Sequence, residues 1–217
     1  MKKLGVLLLL ASAVLLLGGS ALAQGPGDYS YYFVTYYSNA NKGSAAPDAT
    51  LRIINDGDVS TGEVEGVPNG NLWASIYVFD DSQEMQECCN CFVSADGILS
   101  ESVNRELLAN PLTGKVNTRG VIKVIATSNP DPTNNVVAPG LHGWMTHIQA
   151  FNMAGAAPYT KTETPLADAN LLVVTDGVTP SVAVSPEKIA LESSCSFTIT
   201  LGSGHGICSC TPEDSDF

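Results

Sequence analysis

The sequence predicts an all-β fold: an immunoglobulin-like antiparallel β-sandwich, stapled by disulfides and carrying one or two short helices. Three observations carry that prediction. Short runs rich in β-branched and aromatic residues recur along the chain, separated by Asn, Asp, Gly and Pro turn residues. Six cysteines fall in two triplets, Cys88, Cys89 and Cys91 in E-C-C-N-C-F, and Cys195, Cys208 and Cys210 near the C-terminus. Residues 1–23 have the build of a secretory signal peptide, which sends a chain to a compartment where disulfides persist.

The signal comes first. Lys2 and Lys3 precede an apolar run from Leu4 to Leu17, broken by Gly5 and Ser12, and small residues close it at Ala21-Leu22-Ala23. The run is shorter than the roughly 20 residues of a spanning helix, so cleavage before Gln24 is expected. No Cys stands at the junction to carry lipid. Cleavage removes two lysines and takes the formal charge from −12 to −14. An acidic chain without a basic run excludes nucleic acid and anionic lipid as partners held by bulk electrostatics. No second long apolar segment follows, so no membrane attachment is expected after cleavage. Phe217 is an aromatic terminus of the outer-membrane-barrel kind, yet Thr211 to Asp216 do not alternate as a barrel strand would. With 217 residues in all, the expected organisation is the signal, a Tyr-rich strand and flexible connection over 24–47, and one sandwich domain over 48–217.

Five of the seven tyrosines lie between Tyr29 and Tyr37. Read as a strand, this run puts Tyr29, Tyr31, Phe33 and Tyr37 on one face and Tyr32, Val34 and Tyr36 on the other. Both faces are apolar, and such a strand needs cover on both sides. Ser38 to Pro47, small and polar with Gly and Pro, reads as a flexible connection. Strands are then expected at Thr50–Ile54, Leu72–Phe79, Val121–Thr127, Leu141–Phe151 and Leu171–Val174. Helices are expected at Val103–Leu108 and at Pro186–Ser193, the second with Ser185 as cap and Pro186 in its first turn.

An even number of cysteines in an oxidising compartment points to three disulfides. Adjacent Cys88 and Cys89 are badly placed to bond each other, so at least one reaches elsewhere. A bridge from that triplet to the C-terminal one would close a loop of about 100 residues or more, for about 4 to 5 kcal/mol of chain entropy. The competing reading is a thiolate site for zinc or copper(I). Only Cys88 with Cys91 has the spacing of a zinc knuckle, so neither metal nor cofactor is expected. A redox-active Cys88–Cys91 pair lacks the surrounding βαβ pattern.

Catalytic residues are scarce. Any imidazole base must come from His142, His147 or His205. His142 and His147, five apart on one expected strand, point to opposite faces and do not chelate one ion; one packed and one exposed His is the expectation. Ser203 near His205 sits in a Gly-rich turn that lacks the G-x-S-x-G order. Asp80 and Asp81 follow a strand and point apart, which suits loop solvation better than acid/base work. Asp56, Asp58, Ser60 and Glu63 suggest calcium, but Thr61 stands where the loop needs Gly. No catalytic residue is expected, and the chain is read as a non-enzyme.

Three stretches carry a resemblance: N-L-W-A-S-I-Y-V-F-D-D-S-Q-E-M-Q-E-C-C-N-C after Gly70, T-R-G-V-I-K over 118–123, and G-S-G-H-G-I-C-S-C over 202–210. Over roughly residues 50–210 the chain resembles the uncharacterised secreted Cys-rich proteins common in acidobacteria. This one departs from them in having Trp73 where members often carry Cys, and Cys208-Ser209-Cys210 in place of a C-x-x-C ending. The resemblance implies export and disulfides and brings no activity with it.

Two roles follow from the residues. The first is an extracellular structural or assembly protein, a filament subunit that joins copies of itself by inserting the strand of Tyr29, Tyr31, Tyr32, Phe33, Val34, Tyr36 and Tyr37 into a neighbour's sheet. The second is a soluble monomer in which that strand pairs at home and the loops at Asn55–Gly70 and Ser128–Pro139 hold an unidentified ligand.

Overall fold

Runs that alternate apolar and polar residues bury one face, and runs that are apolar throughout must bury two. The computed structural model of the chain describes residues 31–42, 46–57, 70–108, 117–151, 158–169, 171, 173–175, 179–181, 185–200, 208 and 210. In chain order the strands are β1 (Tyr32–Ser38), β2 (Thr50–Asn55), β3 (Leu72–Asp80), β4 (Met85–Val93), β5 (Ile98–Ser102), β6 (Arg119–Thr127), β7 (Leu141–Ala150), β8 (Tyr159–Pro165), β9 (Ala167–Asp168), β10 (Val173–Thr175) and β11 (Thr179–Ser181). A single π turn occupies Val103–Leu107, and helix α1 spans Pro186–Thr200.

The strands form two antiparallel sheets, ordered β4-β3-β6-β1-β9 and β5-β2-β7-β8, with β10-β11 as a separate pair. The expected antiparallel sandwich is what forms. Between the sheets lie Leu51 and Ile53 of β2, Ile76 and Val78 of β3, Ile122 and Val124 of β6, and Met145 of β7. The first sheet also buries its outer face. There Tyr32, Tyr77, Cys88 and Ile125 meet Leu191 and Cys195 of α1, together with Leu171. Burial on both faces explains why β3 is almost continuously apolar and why β6 is apolar over Val124–Ala126, whereas β8, on the edge of the other sheet, is polar and largely exposed.

Several expectations change in detail. The helix expected at Val103–Leu108 is one π turn, capped by Ser102, whose Oγ accepts from the Arg105 amide at 3.1 Å. Helix α1 starts as expected behind Ser185, whose carbonyl accepts from Ile189 N at 3.1 Å, but it runs past Ser193 to Thr200. Ser, Thr and β-branched residues there are weak helix formers, and the packing of Cys195 against the sheet overrides them. Strands β4, β5, β8, β9 and β11 were not expected, and the strand expected at Leu171–Val174 is assigned to Val173–Thr175. The expected signal peptide, residue Tyr29 and the turn Gly202–Gly206 lie outside the described residues.

Candidate functional site

The Tyr-rich run occupies a slot. β1 lies between β6 and the two-residue β9. All of its residues pair with β6, from Tyr32 opposite Ile125 to Ser38 opposite Arg119. On its other edge, among the described residues, Phe33 and Val34 pair with β9. The ladder is extended by Tyr31, whose carbonyl accepts from Ala126 N at 2.8 Å.

Each face of β1 is anchored by its own chemistry, as the two apolar faces demanded. Phe33 and Tyr37 enter the core between the sheets, where the Tyr37 hydroxyl donates to the Phe79 carbonyl at 3.2 Å. Gly120 makes room for that ring: a Cβ there would stand 1.9 Å from the Phe79 oxygen and 2.6 Å from the Tyr37 hydroxyl. Tyr32 turns to the outer cluster and donates to Glu187 Oε1 at 3.0 Å, and Lys123 pairs with the same carboxylate. Val34 packs beside this cluster. Tyr36 remains half exposed and stacks on His147, with ring centroids 4.2 Å apart and an interplanar angle of 21°. His147 is buried, shares a hydrogen bond of 2.8 Å with Thr164 Oγ1, and has its pKa pulled below the ordinary 6.5 by desolvation.

The chain leaves β1 through a structured turn. Ser38 Oγ and Asn39 Nδ2 donate to the Ile148 carbonyl at 2.7 and 2.8 Å. Asn39 and Asn41 hold φ of 56° and 53°, left-handed values that Asn tolerates better than most side chains. The connection expected to be flexible from Ser38 onward is therefore tied at its start, and residues 43–45 lie outside the described residues.

The cysteine motif is explained by strand alternation. Cys88 faces outward from β4, and Cys89 and Cys91 face inward. The bridges are Cys88–Cys195, Cys89–Cys208 and Cys91–Cys210, spanning 107, 119 and 119 positions. β4 is an edge strand, so the chain serves both of its faces: α1 is fixed to the outer one, and Cys208 and Cys210 are fixed to the inner one. Both triplets are fully used, and no described cysteine is free.

The other candidate residues do not converge. His142 is half exposed and contacts Asp56 Oδ2 at 3.0 Å, on the opposite side of β7 from buried His147, so the two imidazoles do not form a pair. Asp58, Ser60 and Glu63 of the calcium reading lie outside the described residues. Asp80 differs from expectation: it is buried and organises the β3–β4 hairpin, accepting from Ser82 N at 2.8 Å, Glu84 N at 3.1 Å and Gln86 Nε2 at 3.1 Å. Asp81 pairs at the surface with Arg119 at 2.8 Å. The Ser128–Pro139 loop, one of the two proposed ligand loops, is tied down. Asn135 bridges the Ser75 and Tyr77 hydroxyls at 2.6 Å each and its amide donates to Glu192 of α1, while Val136 N donates to Asn129 Oδ1 at 2.7 Å.

Two residues escaped sequence reasoning. Glu87 faces the inter-sheet core from β4, with Oε2 unpartnered among the described residues, and desolvation raises its pKa from 4.5 to about 8. Gly120 lies within T-R-G-V-I-K, and nothing in that run announces the tyrosine ring it admits. No alternation in E-C-C-N-C-F-V gives Glu87 away; only its strand position, two and four residues before Cys89 and Cys91, puts it on their face.

Three disulfides fit an oxidising extracellular or periplasmic environment. No described helix is long and apolar enough to cross a membrane. Comparison with family models, curated proteins and solved structures finds no match.

Proposed function

We propose that the chain is exported and serves outside the cytoplasm as a structural subunit rather than an enzyme, with copies joining by exchange of β1. One observation carries the reading: β1 fills a slot whose two walls, β6 and β9, come from later parts of the chain. Withdrawing β1 would open the slot and unplug Phe33 and Tyr37 from the core. An identical strand from a second copy satisfies the same seven β6 pairings and refills both pockets. The disulfides suit such a subunit, because they fasten β4, α1 and the C-terminal cysteines without involving β1. The fold then keeps its shape while β1 is absent.

The complete register of β1 within its own chain favours a second reading, a monomer that binds a ligand through its loops. A shortened chain beginning at residue 39 separates the two. Exchange predicts that this chain stays folded with an open slot and takes up a peptide of residues 28–38 at one-to-one stoichiometry. A folded chain of the same oligomeric state that takes up no such peptide contradicts it.

A further inference from the structure

The two inward bridges lie side by side. The sulfurs of Cys89 and Cys91 are 3.8 Å apart, and those of Cys89, Cys91 and Cys210 all lie within 4.8 Å of one another. The fourth sulfur, Cys208, is bonded to Cys89. Four sulfurs at about 2.3 Å from a tetrahedral zinc ion stand about 3.8 Å from one another, so the Cys89–Cys91 spacing already matches one edge of that tetrahedron. Alternation on β4 fixes this edge, since residues two apart on a strand face the same way. Cys208 and Cys210 are another C-x-C pair and would supply the opposite edge, although Cys208 stands outside the group of three in the oxidised chain. Cys89, Cys91 and Cys208 are buried, whereas Cys210 is partly exposed and offers the route in.

We propose that Cys89, Cys91, Cys208 and Cys210 form a four-sulfur centre with two states: a pair of disulfides when oxidised, and a site for zinc when a dithiol reductant opens them. Each bridge takes up two electrons and two protons from one dithiol, which leaves as its own disulfide. Zinc then binds with release of four thiol protons, giving a tetrathiolate of charge −2. Each bonded pair then parts to about the 3.8 Å that already separates Cys89 from Cys91, and the Cys208 sulfur, which lies outside the 4.8 Å group, swings in to close the tetrahedron. The Cys88–Cys195 bridge, on the opposite face of β4, takes no part.

The test uses the mature chain from residue 24, reduced anaerobically with dithiothreitol and titrated with Co²⁺ as a spectroscopic stand-in for zinc. The expected result is one equivalent of Co²⁺ with the intense sulfur-to-metal charge-transfer band of a tetrahedral thiolate site, displaced by one equivalent of Zn²⁺. Alkylation with mass-spectrometric mapping should then find Cys89, Cys91, Cys208 and Cys210 protected by Zn²⁺ and Cys88 and Cys195 labelled. Cys91→Ser should weaken Zn²⁺ binding about tenfold or more, and the double change Cys88→Ser with Cys195→Ser should leave the stoichiometry at one. Absence of the charge-transfer band, protection that includes Cys88 and Cys195, or an identical band in urea-unfolded chain each overturns the proposal.

Discussion

Gly120 and Tyr37 set the tolerance of the slot at single-atom scale. Gly120→Ala would drive a methyl group into the Phe79 carbonyl, which is backbone and cannot rotate away. A loss of more than ~3 kcal/mol is expected in urea unfolding, well above the usual effect of a surface substitution. Glu87 acts through its proton. Burial raises its pKa from 4.5 to about 8, so between those values the folded chain holds a proton that the unfolded chain has lost. Stability therefore falls as pH rises through that window, with a slope of at most ~1.4 kcal/mol per pH unit from this group. Glu87→Gln carries no such proton. Urea titrations at about pH 5 and about pH 8 should show a smaller difference between the two conditions in the variant than in the parent, and an equal difference would refute the buried acid.

At the scale of elements, β1 is held by packing that includes the Tyr36–His147 stack, and β4 by covalent bridges. Protonating His147 requires charging a buried ring stacked on Tyr36. Its pKa lies below the ordinary 6.5 in the folded chain, so its contribution to stability is complete above about pH 6.5 and lost as the pH falls through the folded value. Hydrogen exchange of β1 amides, corrected for the intrinsic pH dependence, should show loss of protection on acidification, and His147→Gln should abolish that response. The bridges have a larger effect. With Cys89–Cys208 still closed, Cys91–Cys210 adds a ring of only a few residues, so replacing Cys91 and Cys210 together by Ser should cost about 2 kcal/mol by the loop-entropy relation, measured as a shift of the urea midpoint. The strands that sequence reading found, such as Thr50–Ile54 and Leu72–Phe79, are the ones whose burial leaves a pattern in residue type. β8 was missed because an exposed edge strand of Thr, Lys and Glu has no apolar period. β4 was missed because its cysteines were read for their sulfur chemistry rather than as apolar strand residues. The end of α1 was missed because Ser194–Thr200 has poor intrinsic helicity and is held by a contact distant in sequence.

The whole molecule joins a stapled frame to a strand that no bridge holds. The frame's bridges run between β4 and the region from Cys195 to Cys210, and β1 has hydrogen bonds and packing alone to hold it. The class of fold and the use of all six cysteines could be read in the sequence, because turn spacing and an even thiol count are local properties. The pairing of the cysteines could not, since it depends on which face of an edge strand each one occupies. The slot between β6 and β9 was equally hidden, because Phe33 and Asp168 meet only in the assembled sheet. The most direct measurement is electron microscopy, combined with size-exclusion chromatography, of the oxidised mature protein from residue 24 at high concentration. Strand exchange predicts regular fibres that a peptide of residues 28–38 prevents from growing; a uniform monomer, unchanged by concentration or by that peptide, contradicts it and returns β1 to its own core.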